Sequence, residues 1–332
     1  EALMVSINDV AKRAGVAIST VSKVINNYPY VSEATKIKVR EAIHELNYVP
    51  NTVAVALSSK QNGRAAILVS LNPKTQAIDE ITMQYLSGAL NMALELNIEI
   101  ITFFVSMIEH MTPEEMTRYF KSQNISGLII CGISKDDKTL HQLIESKEFK
   151  CVLVDGNTVN EVTSSIGVDN AKAQYDVAKR TILENNCKRV LYIAGKKNDY
   201  VTDARLEGIN KLKEELNLKL MVRYGEYSEL MARQLTFKYA KNKDIVVCGS
   251  DLMAIGAMNA LTEMDIFRPV CGFDGITLMG YVGKQMNTVR QDFYNISSNA
   301  VKELKYLLDG NEGRKVTLPH KIVKLYYKDI IK

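Results

Sequence analysis

Long apolar runs, paired cysteines and catalytic signatures are all missing from this chain. No apolar stretch approaches the ~20 residues needed to span a bilayer. The opening EALMVSIND has no apolar signal region, and Met4 reads as the natural start, with residues 1–3 ahead of it. The five cysteines (Cys131, Cys151, Cys187, Cys248, Cys271) form no CxxC pair and have no His nearby. Most sit in apolar, strand-like runs and read as reduced, buried thiols of a cytoplasmic protein. GxSxG, GxxxxGK(S/T), HExxH and a GxGxxG after the first strand are absent. The four His (His44, His110, His141, His320) lack metal-ligand spacing. No catalytic residue, metal or cofactor is therefore assigned, and the expectation is a protein that is not an enzyme.

Charge of one sign is also scarce. The net charge is only +4, which by itself points to no nucleic acid. Its distribution is uneven, however. Residues 1–64 carry eight Lys/Arg against five Asp/Glu, leaving +1 for the rest. The excess lies where an electrostatic footprint on phosphates would need it. It is mild, so a dimer is expected to be required for tight binding.

What is present begins at Ser6. Ser6 can cap a helix with Asp9 at its third position, the capping-box spacing. Val10 and Ala14 lie one turn apart, and Gly15 supplies a left-handed stop. A second helix runs from about Ile18 to Asn26, with Val21, Val24 and Ile25 as its apolar stripe. Ser32 caps a third, whose Val39, Ala42, Ile43 and Leu46 close a small core. Two short helices joined by a tight Gly turn make a helix-turn-helix pattern. Ile18, Ser19, Thr20, Ser22, Lys23 and Asn26 avoid the stripe and are sized for a major groove. On spacing alone, an ordinary solvated face of a small helical domain fits equally well.

The residues DVAKRAGVAISTVSKVIN and VSEATKIKVREAIHELNYVPN closely resemble the headpiece of the lactose-repressor (LacI/GalR) family of bacterial transcription regulators, and the likeness extends along the whole chain. The resemblance implies that Ile18 and Ser19 occupy base-reading positions and that Thr20, Ser22, Lys23 and Asn26 meet phosphates and groove. With these go Ile7, Ser32, Thr35, Tyr48, Asn51, Ala54 and Leu57 as DNA-contacting positions. Three positions depart from the pattern. Ala17 stands where Ser is usual, removing a cap worth ~1 kcal/mol. Lys23 stands where Arg is common, a point charge without the bidentate fork. Val55 replaces an Arg that would offer another phosphate or minor-groove contact.

Pro50 interrupts the preceding helix, and Asn51 can cap a new one. A helix this short is unstable alone in water, so the residues by themselves read as a plain linker. The resemblance implies a hinge helix that orders only on operator DNA, with Leu57 as the wedge between central base pairs.

From Ala65 the pattern becomes α/β. Apolar runs at 65–71, 98–105, 127–133, 151–155, 189–195, 244–251 and 269–274 read as buried parallel strands. Helices are expected at Ile81–Leu96, Pro113–Asn124, Asn170–Asn185, Ala204–Leu216, Glu229–Tyr239, Leu252–Glu263 and Phe293–Leu308. Two sets of strands suggest two similar subdomains, with ligands bound beyond their carboxyl ends. The fold class is thus an all-α helix-turn-helix headpiece (1–50), a hinge (51–64) and an α/β core (65–332) of two Rossmann-like subdomains, resembling the periplasmic sugar-binding proteins. The resemblance implies three crossovers, dividing the core as 65–161 with 291–321 and 162–290 with 322–332. The stretch MDIFRPVCGFD is a residue or two shorter than the family pattern implies.

Ser70, Asn72, Asp155, Arg205, Tyr227, Ser250, Asp274 and Phe293 lie at the strand ends. Singly, each Asp there reads as a cap or turn residue, the role given to Asp169 and Asp251. Together the eight resemble the family's effector pocket. Carboxylates accept from sugar hydroxyls, Arg donates to them, and Tyr227 or Phe293 stacks on a ring face. A carbohydrate effector is expected, with a purine or nucleoside, or a phosphorylated carrier protein as coregulator, as alternatives. A sugar-binding transport protein is the competitor of another class, but residues 6–57 have no place in one. The expected partners are pseudo-palindromic operator DNA and a second copy of the chain, with no membrane, at the bacterial nucleoid in the cytoplasm.

Overall fold

The computed structural model describes residues 5–25, 28–48, 64–70, 80–282, 285–326 and 328. The chain divides into two compact units, Glu1–Gly63 and Arg64–Lys332. In the first, α1 (Ile7–Ala14), α2 (Ile18–Ile25) and α3 (Glu33–Glu45) enclose one small core. Each helix contributes one fully buried valine: Val10, Val21 and Val39. Burying a valine contributes ~1.5–3 kcal/mol, so no helix of so small a domain is dispensable. The Ser6 N–H donates to the Asp9 carboxylate at 2.9 Å, and Gly15 ends α1 with φ 66°.

The second unit holds two six-stranded sheets. The first contains β1 (Arg64–Val69), β2 (Ile100–Phe104), β3 (Ile125–Cys131), β4 (Lys150–Val154), β5 (Thr163–Val168) and β11 (Lys315–Leu318), in the order β11-β5-β4-β3-β1-β2. The second contains β6 (Arg189–Ala194), β7 (Lys219–Tyr224), β8 (Ile245–Cys248), β9 (Val270–Asp274), β10 (Asn287–Arg290) and β12 (Lys321–Lys324), in the order β12-β10-β9-β8-β6-β7. All pairs are parallel except β10 with β12. The central strands are buried along almost their whole length, which is why they read as continuous apolar runs. Around them pack α4 (Glu80–Glu95), α5 (Pro113–Ser122), α6 (Lys138–Glu145), α7 (Asn170–Glu184), α8 (Tyr200–Leu216), α9 (Glu229–Tyr239), α10 (Asp251–Glu263) and α11 (Phe293–Leu308). The five cysteines are all buried and unpaired. Among the described residues no helix is long and apolar enough to cross a membrane.

The first subdomain boundary differs from the expected 161/162. Residues 163–168 form β5, which pairs with β4 and β11, so the chain leaves the first sheet only after Val168. The segment TSSIGV escapes an apolar-run reading because three of its six buried residues, Thr163, Ser164 and Ser165, carry hydroxyls. Ser164 donates to Glu303 at 2.8 Å, and Ser165 donates to the Gly156 carbonyl at 2.5 Å. The chain then crosses three times, at Asp169, at Gln291–Asp292 and at Pro319–His320. Register places these crossings side by side: Val168 is opposite Leu318, and Arg290 is opposite Lys321. The short stretch after α10 is continuous, and Arg268 ties it down by donating to the Lys243 carbonyl at 2.5 Å.

Candidate functional site

The carboxyl ends of both sheets open onto one cavity of about 470 Å³. Seven of the eight expected effector residues line it: Ser70, Asp155, Arg205, Tyr227, Ser250, Asp274 and Phe293. The eighth, Asn72, lies outside the described residues. Arg205 on α8 is the centre of the polar network. Its Nε donates to Asn170 Oδ1 at 2.9 Å and one terminal nitrogen donates to the Gly249 carbonyl at 2.5 Å. The other lies 3.7 Å from Asp274, and the guanidinium covers the Phe273 ring at 3.5 Å. Asn170 in turn donates to Asp155 at 3.1 Å, so a side chain of the second subdomain holds the carboxylate of the first.

Burial pushes both carboxyls up to about 6, against the opposing pull of Arg205. Both also stand on strained backbone, with φ 57° at Asp155 and 120° at Asp274. Non-glycine residues in such conformations cost ~1–3 kcal/mol each and cluster where geometry serves function. Glu226 and Tyr227 add two more, each with φ 55°. The Tyr227 hydroxyl donates to Asp199 at 2.8 Å and lies 2.8 Å from the Thr202 hydroxyl. Its ring lies over Gly195, where any β-carbon would overlap it.

Two expected roles change. Phe293 is only 3% exposed and sits edge-on to Tyr85, with centroids 5.4 Å apart. It is a wall of the cavity, and Tyr227 is the half-exposed aromatic face. Ser250 is also the N-cap of α10, accepting from the Met253 N–H at 3.3 Å. Asp169 caps α7 as expected, whereas Asp251 accepts from the Gly275 and Ile276 N–H groups and from Thr288. Asn170, Asp199, Thr202 and Tyr85 were not singled out from the sequence. Nothing local marks them, since their roles depend on partners distant in the chain. Gln291 follows a strand in the sequence, and here it donates to Asp274 at 3.3 Å. Among the described residues no group of His, Cys, Asp and Glu fits a metal ion.

In the headpiece, Ile18, Ser19 and Lys23 are exposed on α2, with Thr20 and Ser22 half-buried beside them. The Ala17 carbonyl accepts from the Thr20 and Val21 N–H groups at 2.9 and 3.1 Å, and the Ala17 side chain has no hydroxyl with which to cap this end. Ser32 caps α3 by accepting from the Thr35 N–H at 3.3 Å. Ile7 and Tyr48 pack partly against the small core. Tyr30, which the sequence reading passed over, is 94% exposed. Asn26, Asn51, Ala54, Leu57 and the expected hinge lie outside the described residues.

Residues 6–51 match the model of bacterial regulatory proteins of the lacI family, and residues 88–268 match that of periplasmic binding proteins and sugar binding domains of the LacI family. The chain is 30% identical to the HTH-type transcriptional regulator RegA of Clostridium saccharobutylicum, over 92% of this chain and 93% of that protein. It is also 30% identical to the HTH-type transcriptional regulator MalR of Clostridium butyricum, over 96% and 98% respectively. A crystal structure of the lac repressor dimer bound to operator and the anti-inducer ONPF matches with a TM-score of 0.82 and 25% identity, covering 96% of this chain and 98% of that one. The helix-turn-helix headpiece, the two-sheet core and these relatives together establish that the chain belongs to the LacI family of DNA-binding bacterial transcriptional regulators.

Proposed function

We propose that the protein is a homodimeric repressor whose grip on a pseudo-palindromic operator is set by a carbohydrate held between the two core subdomains. The observation that carries this reading is the convergence of Ser70 and Asp155 from one subdomain with Arg205, Tyr227, Ser250 and Asp274 from the other on a single cavity. A ligand touching both halves binds their closed arrangement more tightly and so shifts that equilibrium. Carboxylates, a guanidinium and one half-exposed aromatic ring are the groups that take hydroxyls and a C–H ring face. Ile18, Ser19, Thr20, Ser22 and Lys23 would read the major groove, while the segment 51–64 would order on DNA with Leu57 as its wedge. The lac repressor structure holds operator and a small ligand on one dimer, which is the arrangement proposed for this chain.

A thermal-shift screen against sugars, nucleosides and purines tests the ligand class, because a ligand selective for the native state raises Tm by mass action. The expected result is a sugar that raises Tm and alters operator affinity. A purine as the sole hit would replace the carbohydrate, and no metabolite hit would favour a protein coregulator. Leu57→Ser should weaken operator binding while leaving the thermal shift intact, and equal loss of both would remove the hinge assignment.

A further inference from the structure

Taking the cavity as the effector site, we infer that it selects a phosphate-free, uncharged, donor-rich ligand: a free sugar rather than its phosphate ester. Three independent features of the cleft support this.

The first is charge. Among the described residues, Glu80, Asp137, Asp155, Asp199 and Asp274 line the cavity, against Lys196 and Arg205. A dianionic phosphate entering that lining meets mostly like charge, in surroundings where water screens poorly.

The second is that, apart from Lys196, the groups able to hold a phosphate are already engaged. Arg205 has donated to Asn170 and Gly249, faces Asp274, and has one face against Phe273. Lys196 is exposed at the rim, and among the described residues it is the other cation of the lining. Helix N-termini are the common alternative cradle for phosphate. Four of those beginning near this cleft are capped by their own side chains. Asp169, Ser228, Ser250 and Asp292 accept from the N–H groups of Lys172, Met231, Met253 and Asn295. Three further starts in the lining each carry a carboxylate: Asp199 and Asp137 stand in the N-cap positions of α8 and α6, and α4 begins on Glu80.

The third is an unused acceptor. Gln291 is 4% exposed, and its Oε1 has no hydrogen-bond partner among the described residues. Leaving such an atom unpaired is costly, so a ligand that brings a donor gains there. A ligand hydroxyl supplies one, which supports the donor-rich part of the inference; a phosphate group placed at that atom would bring only acceptors.

The test uses the full-length protein at pH 7.5 and calorimetric titration with matched pairs: glucose, galactose, fructose and maltose, each beside its phosphate ester. The expected result is that at least one free sugar binds and that its ester binds at least about a hundredfold more weakly, or not at all. Combining Glu80→Gln with Asp137→Asn should narrow that ratio. Equal or tighter binding of an ester would overturn the inference while leaving the carbohydrate reading in place. Failure of every sugar, free or esterified, together with binding of a nucleoside or purine, would overturn both.

Discussion

The two halves of the core share a strand order but differ in what their strand ends do. In the second half the residues facing the cleft are bound to one another before any ligand arrives. Arg205, Asn170, Asp274 and Gln291 form a connected network, and Tyr227 is tethered through Asp199 and Thr202. The first half presents Ser70 and Asp155 on simpler supports, and Asp155 owes its hydrogen bond to a residue of the other half. A shared strand order therefore yields one preorganised face and one face that completes it. The difference comes from side chains rather than from the sheets, consistent with sites being grafted onto folds.

That contrast can be broken most severely at its centre. Arg205→Ala leaves buried carboxylates without their counter-charge and should cost ~3–5 kcal/mol in urea unfolding. Ser70→Ala, on the opposite face, should stay within ~0.5 kcal/mol; similar losses at the two positions would erase the distinction. Next comes Gly195→Ala, which forces the Tyr227 ring aside and should destabilise by ~1–3 kcal/mol. Tyr227→Ala in the same background should then add little, and additive losses would show that the two do not meet.

A smaller effect concerns pH. Asp155 and Asp274 titrate at about 6 in the folded core, above the ordinary 3.8. Their raised values add stability that is fully present below pH ~4 and is lost as pH rises through ~6. The unliganded core should thus be more stable at pH 5 than at pH 7.5, by on the order of 1 kcal/mol, and Asp274→Asn should flatten the urea midpoint across that window. A steeper dependence in the Asn variant would contradict the burial argument. A comparably small change is Tyr227→Phe, at ~1 kcal/mol for its tether, with a larger loss in ligand affinity than in stability. The reverse ranking would make the tether structural only.

The sequence made the framework legible wherever local chemistry and packing agree. Glu229–Tyr239 and Phe293–Leu308 have the expected bounds because Ser228 and Asp292 cap them with side chains visible in the sequence. Strands followed the same logic where they are apolar. Strand β5 was missed because three of its six buried residues carry hydroxyls, and β7, β11 and β12 because they lie at sheet edges and are only partly buried. Helix α6 was missed too, although Leu140, Leu143 and Ile144 form its buried stripe. At the site, residue types and strand-end positions pointed to the lining. The strained φ values of Asp155 and Asp274, the withdrawal of Phe293 and the bridging by Asn170 depend on distant partners, and no local pattern carries them.

The three crossings between the sheets are one or two residues long and lie edge to edge. Each residue offers only two soft dihedrals, and Pro319 gives up one of them. His320 is further held 3.1 Å from Asp176. Such a join resembles a door hung on three adjacent leaves of one hinge, free to swing about a single line and stiff against sliding or twisting. Points close to that line hardly move, while the far rim of the cleft travels furthest. Gln291 sits on the hinge itself and donates to Asp274, so the pivot and the binding pocket share a residue.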